Sequence, residues 1–538
     1  MTVLSDFLGL NLKKRDDANG VLLPAKKCIN TDLRGGTIRP FKANLFAERG
    51  HRGEIVKYDN EWFSGKENYV TWTINGFELL IYRDGQDWKQ VVRQPRVVGA
   101  NLSNTVVDLG LPQPGAPSVS TLPFDDRVTS PEAHVNNPYR MGYFTTWIRE
   151  VEGYREESSP SPFTYASNNV IAFNIQVTGT VPDNIVGGRL YRFSEGKDST
   201  VTAGLVAEFT SSSFEVDDHL LGDQLGSPYS GFFTTAVGVR VLRFPPDVVF
   251  DGICPTIHNG RLVAWHGSNF YFSEGNEPGS FPAAYMHSAG DKIISIESYN
   301  GELYIFTRSG IQRVVGQDPV EPYVVPMFQG DGISSRRAVT SAVEGVYYLC
   351  RRGLGIVNSG GARLISRDFL PETYFDDIDV STAHLASGIG LVLLFHSKGA
   401  LALVTERGRG FVELDQVYTG SFFDKQTGKF FVTTGEVLQE LWGGDDYLDA
   451  RYKFGDLVLN LPEDKEFESF TMVGSGTFTV TLSLDGEDET VDVFDLSEPY
   501  EGRTIQPPEG VLAHGAALEL VGRGELKEIR VNLTVGDE

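Results

Sequence analysis

"NGRLVAWHGSNFYFSE", residues 259 to 274, reads as two short strands around a polar turn. Leu262 to Trp265 and Phe270 to Phe272 supply the apolar runs, while Asn259-Gly260 and Gly267-Ser268-Asn269 supply residues that favour tight turns. The same order of small-residue turn, apolar strand, polar turn and second strand returns downstream. It recurs in "NGELYIFTRSGIQRVVG" from 300, "EGVYYLCRRGLGIVNSGG" from 344 and "SGIGLVLLFHSKGALALVTE" from 387. Gly260, Gly301, Gly345 and Gly388 are thus spaced by 41, 44 and 43 residues, and a shorter copy, "TGKFFVTTGEVLQELW", covers 427 to 442. A four-stranded propeller blade repeats every ~40 to 45 residues. The spacing therefore predicts a β-propeller over 226–449, whose blades would bury by stacking the apolar face that each hairpin exposes alone. A sandwich with evenly spaced hairpins is the competing arrangement.

Outside the repeat the pattern is also one of strands. In "NVIAFNIQV", Ile171, Phe173, Ile175 and Val177 fall on one face, and in "TFTVTLSLDG", Phe478, Val480, Leu482 and Leu484 do so ahead of an Asp485-Gly486 turn. No long window carries apolar residues at helical spacing, so the predicted class is all-β. Five blocks follow from composition and pattern. These are an amino-terminal arm with entry strands (1–60), a β-rich segment with a Pro/Ser/Asn-rich connector (61–136), a fibronectin-like β-sandwich (137–225), the propeller blades (226–449) and a C-terminal β-sandwich-like domain (450–538). The connector was a candidate to cross a subunit boundary.

The 538 residues carry 47 basic and 72 acidic side chains, a net charge of −25, with no basic run to serve as a nucleic-acid patch. Tight binding to DNA or to anionic membranes is disfavoured. The start, "MTVLSDFLGLNLKKRDD", has its basic cluster after a short, broken apolar run, which is not the order of a secretion signal. The longest apolar stretches, such as "GIGLVLLF" at 388–395, are strand-length, so no membrane-spanning segment is expected. Cys28, Cys254 and Cys350 are widely separated and form no disulfide framework or zinc knuckle, the pattern of a protein made in a reducing cytoplasm.

Motifs for chemistry are weak. "TDLRGGTIRPFKANLF" at 31–46 sets Arg34 and Arg39 around Gly35-Gly36, but it lacks the Lys-Ser/Thr of a phosphate loop and has a proline where a helix would begin. It reads as a turn that launches a strand, which would pair with a late strand. "RDGQDW" at 83–88 misses the D-x-G-x-x-W spacing of sialidase-type turns by one residue and occurs once. The carboxylate pairs Asp217-Asp218, Asp376-Asp377 and Asp445-Asp446 suit acid/base chemistry in principle, but so many acidic residues place such pairs in turns by chance. His258 and His266 are too far apart on an extended chain to share a metal. Cys350, followed by Arg351 and Arg352, reads as a buried strand-end thiol. Trp265, Trp442, Phe270, Phe272, Tyr347 and Tyr348 would suit a sugar-stacking surface, yet their strand alternation assigns most of them to packing. No catalytic, cofactor or metal residues are assigned.

Taken together, several segments resemble the tail nozzle (tail hub or tubular tail) proteins of short-tailed bacteriophages. The resemblance lies in Tyr271-Phe272-Ser273-Glu274 with Pro278, the turn Gly316 to Pro319, Ser334 to Arg336, and Gly353-Leu354; it extends to Gly35-Gly36 and to "YFTTWIREVEGYREESSPSP" in the sandwich block. It covers about 137 to 380, and 60–136 matches nothing in it. The resemblance implies a structural, non-enzymatic virion protein without cofactors, made in the host cytoplasm and located in the virion tail. It would form a homo-oligomeric ring, a hexamer in such tails, below the portal and adaptor, with tail fibres or spikes as further partners. Genome ejection would pass DNA through an acidic lumen without tight binding. The alternative is a tail-tip carbohydrate-binding or carbohydrate-cleaving receptor protein, and a third class is a monomeric scaffold.

Overall fold

The computed structural model describes residues 2–10, 23–33, 39–49, 55–64, 67–93, 105–121, 140–166, 173–195, 203–228, 248–454 and 465–535. Within these stretches, positions 5, 6, 43, 59, 60, 75, 179, 180, 183, 211, 212, 219–224, 331, 334, 389, 406–409, 447, 449, 486, 507–511, 514 and 515 are not described. The chain is all-β. Among the described residues the strands form ten sheets, and the helical pieces are the 3-10 turns Ala283–Tyr285, Ser366–Asp368 and Glu372–Phe375.

The repeat does produce meanders of four strands. Gly252–Ile253, Val263–His266, Asn269–Phe272 and Met286–Ser288 make one, and Val339–Ala342, Gly345–Cys350, Gly353–Asn358 and Gly361–Leu364 make another. Asn259-Gly260 and Asn300-Gly301 take positive φ at both positions, the conformation that two-residue turns need to match strand twist.

The propeller expectation is nevertheless corrected. Among the described residues every sheet has an open strand order, and none closes or curls into a barrel. The fourth copy is not a separate blade: His384–Gly388, Leu391–His396, Gly399–Val404 and Gly410–Leu414 run on through Phe7–Leu10, Leu23–Ile29, Ala450–Phe454, Ala516–Val535, Lys465–Leu484 and Glu487–Ile505, and with Thr2–Leu4 and Leu512–Ala513 paired at the side they make one sheet of twelve strands. The chain divides into two compact units, one of 1–66, 306–311 and 326–538, the other of 67–305 and 312–325. The physical reason is that an interval of 41 to 44 residues fixes the length of a meander but not what its last strand pairs with. Here the far edge of Gly410–Leu414 is taken by Leu10 opposite Phe411 and by Ile29 opposite Glu413. The described strands of the C-terminal block lie in that sheet.

In the first unit, the core follows from the alternation: Phe478, Val480, Leu482 and Leu484 are buried beside Ile529 and Val531, and Leu391 to Phe395 and Ala400 to Val404 join the same cluster. A second sheet of this unit consists of Gly420–Asp424, Lys429–Thr434, Val437–Glu440 and, from the amino-terminal region, Leu45–Arg49, which pairs with Val437–Glu440. The turn at Gly35-Gly36 lies outside the described residues.

In the second unit, Glu67–Ile74, Phe77–Asp84, Asp87–Arg93 and Thr105–Asp108 form a meander over Trp72, Leu79, Ile81 and Val92. Two further sheets pack face to face: Tyr143 and Leu190 of one meet Ile175, Val119 and Val216 of the other. The "SSPSP" run lies along the edge of Arg140–Val151. Prolines cannot donate to a ladder, and serine hydroxyls complete it: the Trp147 N–H donates to Ser158 Oγ at 2.8 Å and the Thr145 N–H to Ser161 Oγ at 3.0 Å. The connector docks on the same unit, with Gln113 Nε2 donating to the Pro160 carbonyl and Thr164 Oγ1 to the Pro117 carbonyl.

Candidate carbohydrate-contact surface

Of the six aromatics singled out for sugar stacking, five are buried: Trp265, Phe270, Phe272, Tyr347 and Tyr348 have at most 4 % exposure. Trp442 alone among them keeps a solvent-accessible part. It follows Val437–Glu440 in a left-handed conformation, φ 61°, unusual for a bulky side chain. Two contacts hold it there. Its indole stacks on Phe41 with centroids 4.1 Å apart and planes 8° off parallel, and its backbone N–H donates to Asn44 Oδ1 at 3.2 Å.

That second contact orients a chain of amides. A backbone N–H only donates, so Asn44 must present its oxygen to Trp442 and its nitrogen the other way. Asn44 Nδ2 then shares two hydrogens among three acceptors, Gln416 Oε1 at 3.0 Å, Tyr418 Oη at 3.1 Å and Gln439 Oε1 at 3.2 Å. Tyr418 Oη donates in turn to Gln416 Oε1 at 2.8 Å, and burial, with Asp415 nearby, pushes its hydroxyl up to about 12, so it remains a donor at neutral pH. Both glutamine oxygens therefore point into the cluster and both Nε2 groups away from it. Among the described residues neither Nε2 group, nor the indole N–H of Trp442, has a hydrogen-bond acceptor.

An exposed ring borders one of these donors. Phe46 is 54 % exposed and stands directly opposite Gln439 in the strand pairing, hence on the same sheet face. Exposed Asp415, Asp445 and Asp446 lie on the same segments, and Lys429 is tied to Glu440 at 3.0 Å. The arrangement offers ring faces and outward N–H donors, the combination by which proteins hold the apolar faces and oxygens of a polyol.

The residues of the tail-protein resemblance are not gathered into a site. Tyr271 and Phe272 pair with Ala264 and Val263. Ser273 Oγ accepts the Leu262 N–H at 2.9 Å and donates to the Glu274 carbonyl, while Glu274 lies 3.8 Å from Arg261, whose guanidinium sits over the Tyr285 ring. Pro278 is buried. Gly316 is exposed, and the Pro319 carbonyl accepts from His287 Nε2 at 2.7 Å. Arg336, Gly353 and Leu354 belong to the other unit; Gly353 has φ 131°, where a Cβ would meet Ser366 Oγ at 2.2 Å, and the Leu354 N–H donates to that oxygen. Ser334, Gly35 and Gly36 lie outside the described residues. These roles are those of turns and packing.

The other candidates are likewise structural. Asp218 is buried and accepts from Tyr143 Oη at 2.8 Å and Arg192 Nη1 at 2.7 Å. Asp377 is exposed beside Lys398. His258 is buried, its Nδ1 3.0 Å from Ser298 Oγ, and burial lowers it to about 4. The Cys350 thiol is buried and donates to the Gly353 carbonyl. Trp88 of "RDGQDW" is buried and donates to the Phe250 carbonyl. Among the described residues no group of three or more His, Cys, Asp or Glu is placed to hold a metal, and no helix is long and apolar enough to cross a membrane.

No family model matches the chain, and no curated protein matches it. Among solved structures it is similar to an extracellular domain from B. thetaiotaomicron described as part of a hybrid two-component system, at 9% identity and TM-score 0.26, over 93% of this chain and 71% of that one. It is also similar to an exo-beta-1,3-galactanase from Phanerochaete chrysosporium, at 8% identity and TM-score 0.18, over 91% and 100%. A third is a mutant Trypanosoma rangeli sialidase displaying trans-sialidase activity, at 8% identity and TM-score 0.25, over 91% and 95%. Overlaps this low establish no shared activity. None of the three is a phage tail component, and the nozzle reading, with its virion keywords and its expectation of a non-enzymatic chain, finds no support among them.

Proposed function

We propose that this protein binds carbohydrate through the surface made by Asn44, Phe46, Gln416, Gln439 and Trp442. The observation that carries the reading is the oriented amide chain, which turns the nitrogen of two glutamines outward beside an exposed phenyl ring. These outward donors meet solvent, and a polyol can take them up with its oxygens while laying an apolar face on the Phe46 ring. Glu440, Asp445 and Asp446 put carboxylates on the same segment, so cleavage belongs in the same test.

The experiment is a glycan array followed by calorimetry on the best ligands, with the wild-type chain and Phe46→Ala. Binding by the wild type and a loss of roughly tenfold or more in Phe46→Ala is expected, since one stacked ring contributes about 1 to 2 kcal/mol. Release of reducing ends from the bound glycan, measured in the same samples, would extend the activity to hydrolysis. An array without any signal overturns the proposal.

A further inference from the structure

The same surface restricts the chemical class of the glycan. Resting on the carbohydrate reading above, we infer that the ligand is a neutral glycan of N-acetylated hexosamine units. The outward groups of Gln416 and Gln439 are N–H donors, so the ligand must bring acceptors to meet them. Four kinds of sugar substituent compete for that role.

A carboxylate is a strong acceptor, but uronic and sialic acids would approach past Asp415, Asp445, Asp446 and Glu48, all exposed on the segments that build the surface. The cations on these segments are Lys42, itself engaged, Lys429, held by Glu440, Arg49 and the exposed Lys425, fewer than the carboxylates of the same segments. Like-charge approach in this setting disfavours an anion. A free amine is favoured by that field, yet an ammonium is donor-only and would face N–H groups with nothing to accept. An acetamido group meets both demands: its carbonyl oxygen accepts two hydrogen bonds while its single N–H is left to solvent, and its methyl suits the exposed ring of Phe46. Plain hydroxyls serve as acceptors too, but they carry no methyl and orient equally well as donors.

The orientation of the amides is thus the selecting element, and it hangs on Asn44. In Asn44→Asp the residue keeps an oxygen for the Trp442 N–H and turns a second oxygen toward the glutamines, which must rotate and present Oε1 outward. Gln439→Glu provides the independent variant: it preserves the inward acceptor for Asn44 Nδ2 and replaces the outward N–H donors with a charged acceptor oxygen.

The test is calorimetric titration of the full chain, wild type and both variants, with N-acetylglucosamine tetramer, glucosamine tetramer, cellotetraose and a galacturonate tetramer. The wild type is expected to bind the acetylated tetramer roughly tenfold or more tightly than the other three, the worth of one or two hydrogen bonds, and both variants to lose that preference. If cellotetraose binds as well as the acetylated tetramer, or the galacturonate tetramer binds best, the inference about class fails and carbohydrate binding stands. Glucosamine tetramer binding best also overturns it. If none of the four binds and the glycan array is blank, both readings fall together.

Discussion

The backbone N–H of Trp442 and the side-chain oxygen of Asn44, 398 residues apart in sequence, are joined by a hydrogen bond of 3.2 Å. This single bond fixes which way the Asn44 amide points, and through it the orientation of Gln416 and Gln439. Asn44→Leu removes the hub and leaves the Trp442 N–H and the inward glutamine oxygens without their partner. Chemical denaturation should show a loss of about 1 to 3 kcal/mol, accompanied by loss of glycan binding.

Trp442 itself tests whether its conformation is held by packing. At φ 61° a glycine is free of strain and an alanine is not. Both Trp442→Gly and Trp442→Ala lose the stacking on Phe41. Trp442→Gly should nevertheless be the more stable of the two by roughly 1 kcal/mol, read as a difference in urea midpoint. Equal midpoints would show that the backbone relaxes out of the left-handed region once the indole is gone.

The serine-proline edge gives a prediction for the second unit. Ser158→Ala and Ser161→Ala each leave a buried backbone N–H, of Trp147 and Thr145, without its acceptor. Each should cost about 1 to 3 kcal/mol. Thr substitutions, which keep the hydroxyl, should recover most of it.

Two buried histidines make stability depend on pH. His258 is lowered to about 4 by burial; His384, stacked on Phe395 and beside Arg337, is also lowered, chiefly by burial. Because the unfolded chain protonates them near the ordinary value of 6.5, it binds more protons than the folded chain between 6.5 and the lowered values. Stability is therefore fully present above 6.5 and falls as the pH drops toward about 4. His258→Gln should flatten that fall by an amount on the order of 3 kcal/mol at its full extent, measured as the difference in unfolding free energy between pH 7 and pH 4. Parallel curves for wild type and variant would show that His258 is charged in the folded state.

Much of the strand content was legible because alternation is a local property. Ile175 and Val177 are buried on one face, as are Phe478, Val480, Leu482 and Leu484, and Asp485 takes the positive φ of the turn that follows them. The association of sheets was not legible, since nothing in Gly410–Leu414 announces that its neighbour comes from residues 7 to 29. The tail-protein resemblance rested on turn residues such as Ser273 and Gly353, whose hydrogen bonds and packing recur wherever hairpins do. The proposed surface left a weaker trace still. Asn44, Gln416 and Gln439 form no motif, and only the partial exposure of Trp442 separates it from the buried aromatics with which its sequence pattern grouped it.

The twelve-stranded sheet bears on how the chain is made. Ala516–Val535 pairs with Lys465–Leu484, with Ala450–Phe454 and with Thr2–Leu4. Segments that leave the ribosome first thus wait for partners translated more than 500 residues later, while Leu45–Arg49 waits for Val437–Glu440. A topology with such distant pairings folds slowly and exposes unpaired edges meanwhile. Synthesis is therefore the interval in which this protein most needs a chaperone to shield its early strands.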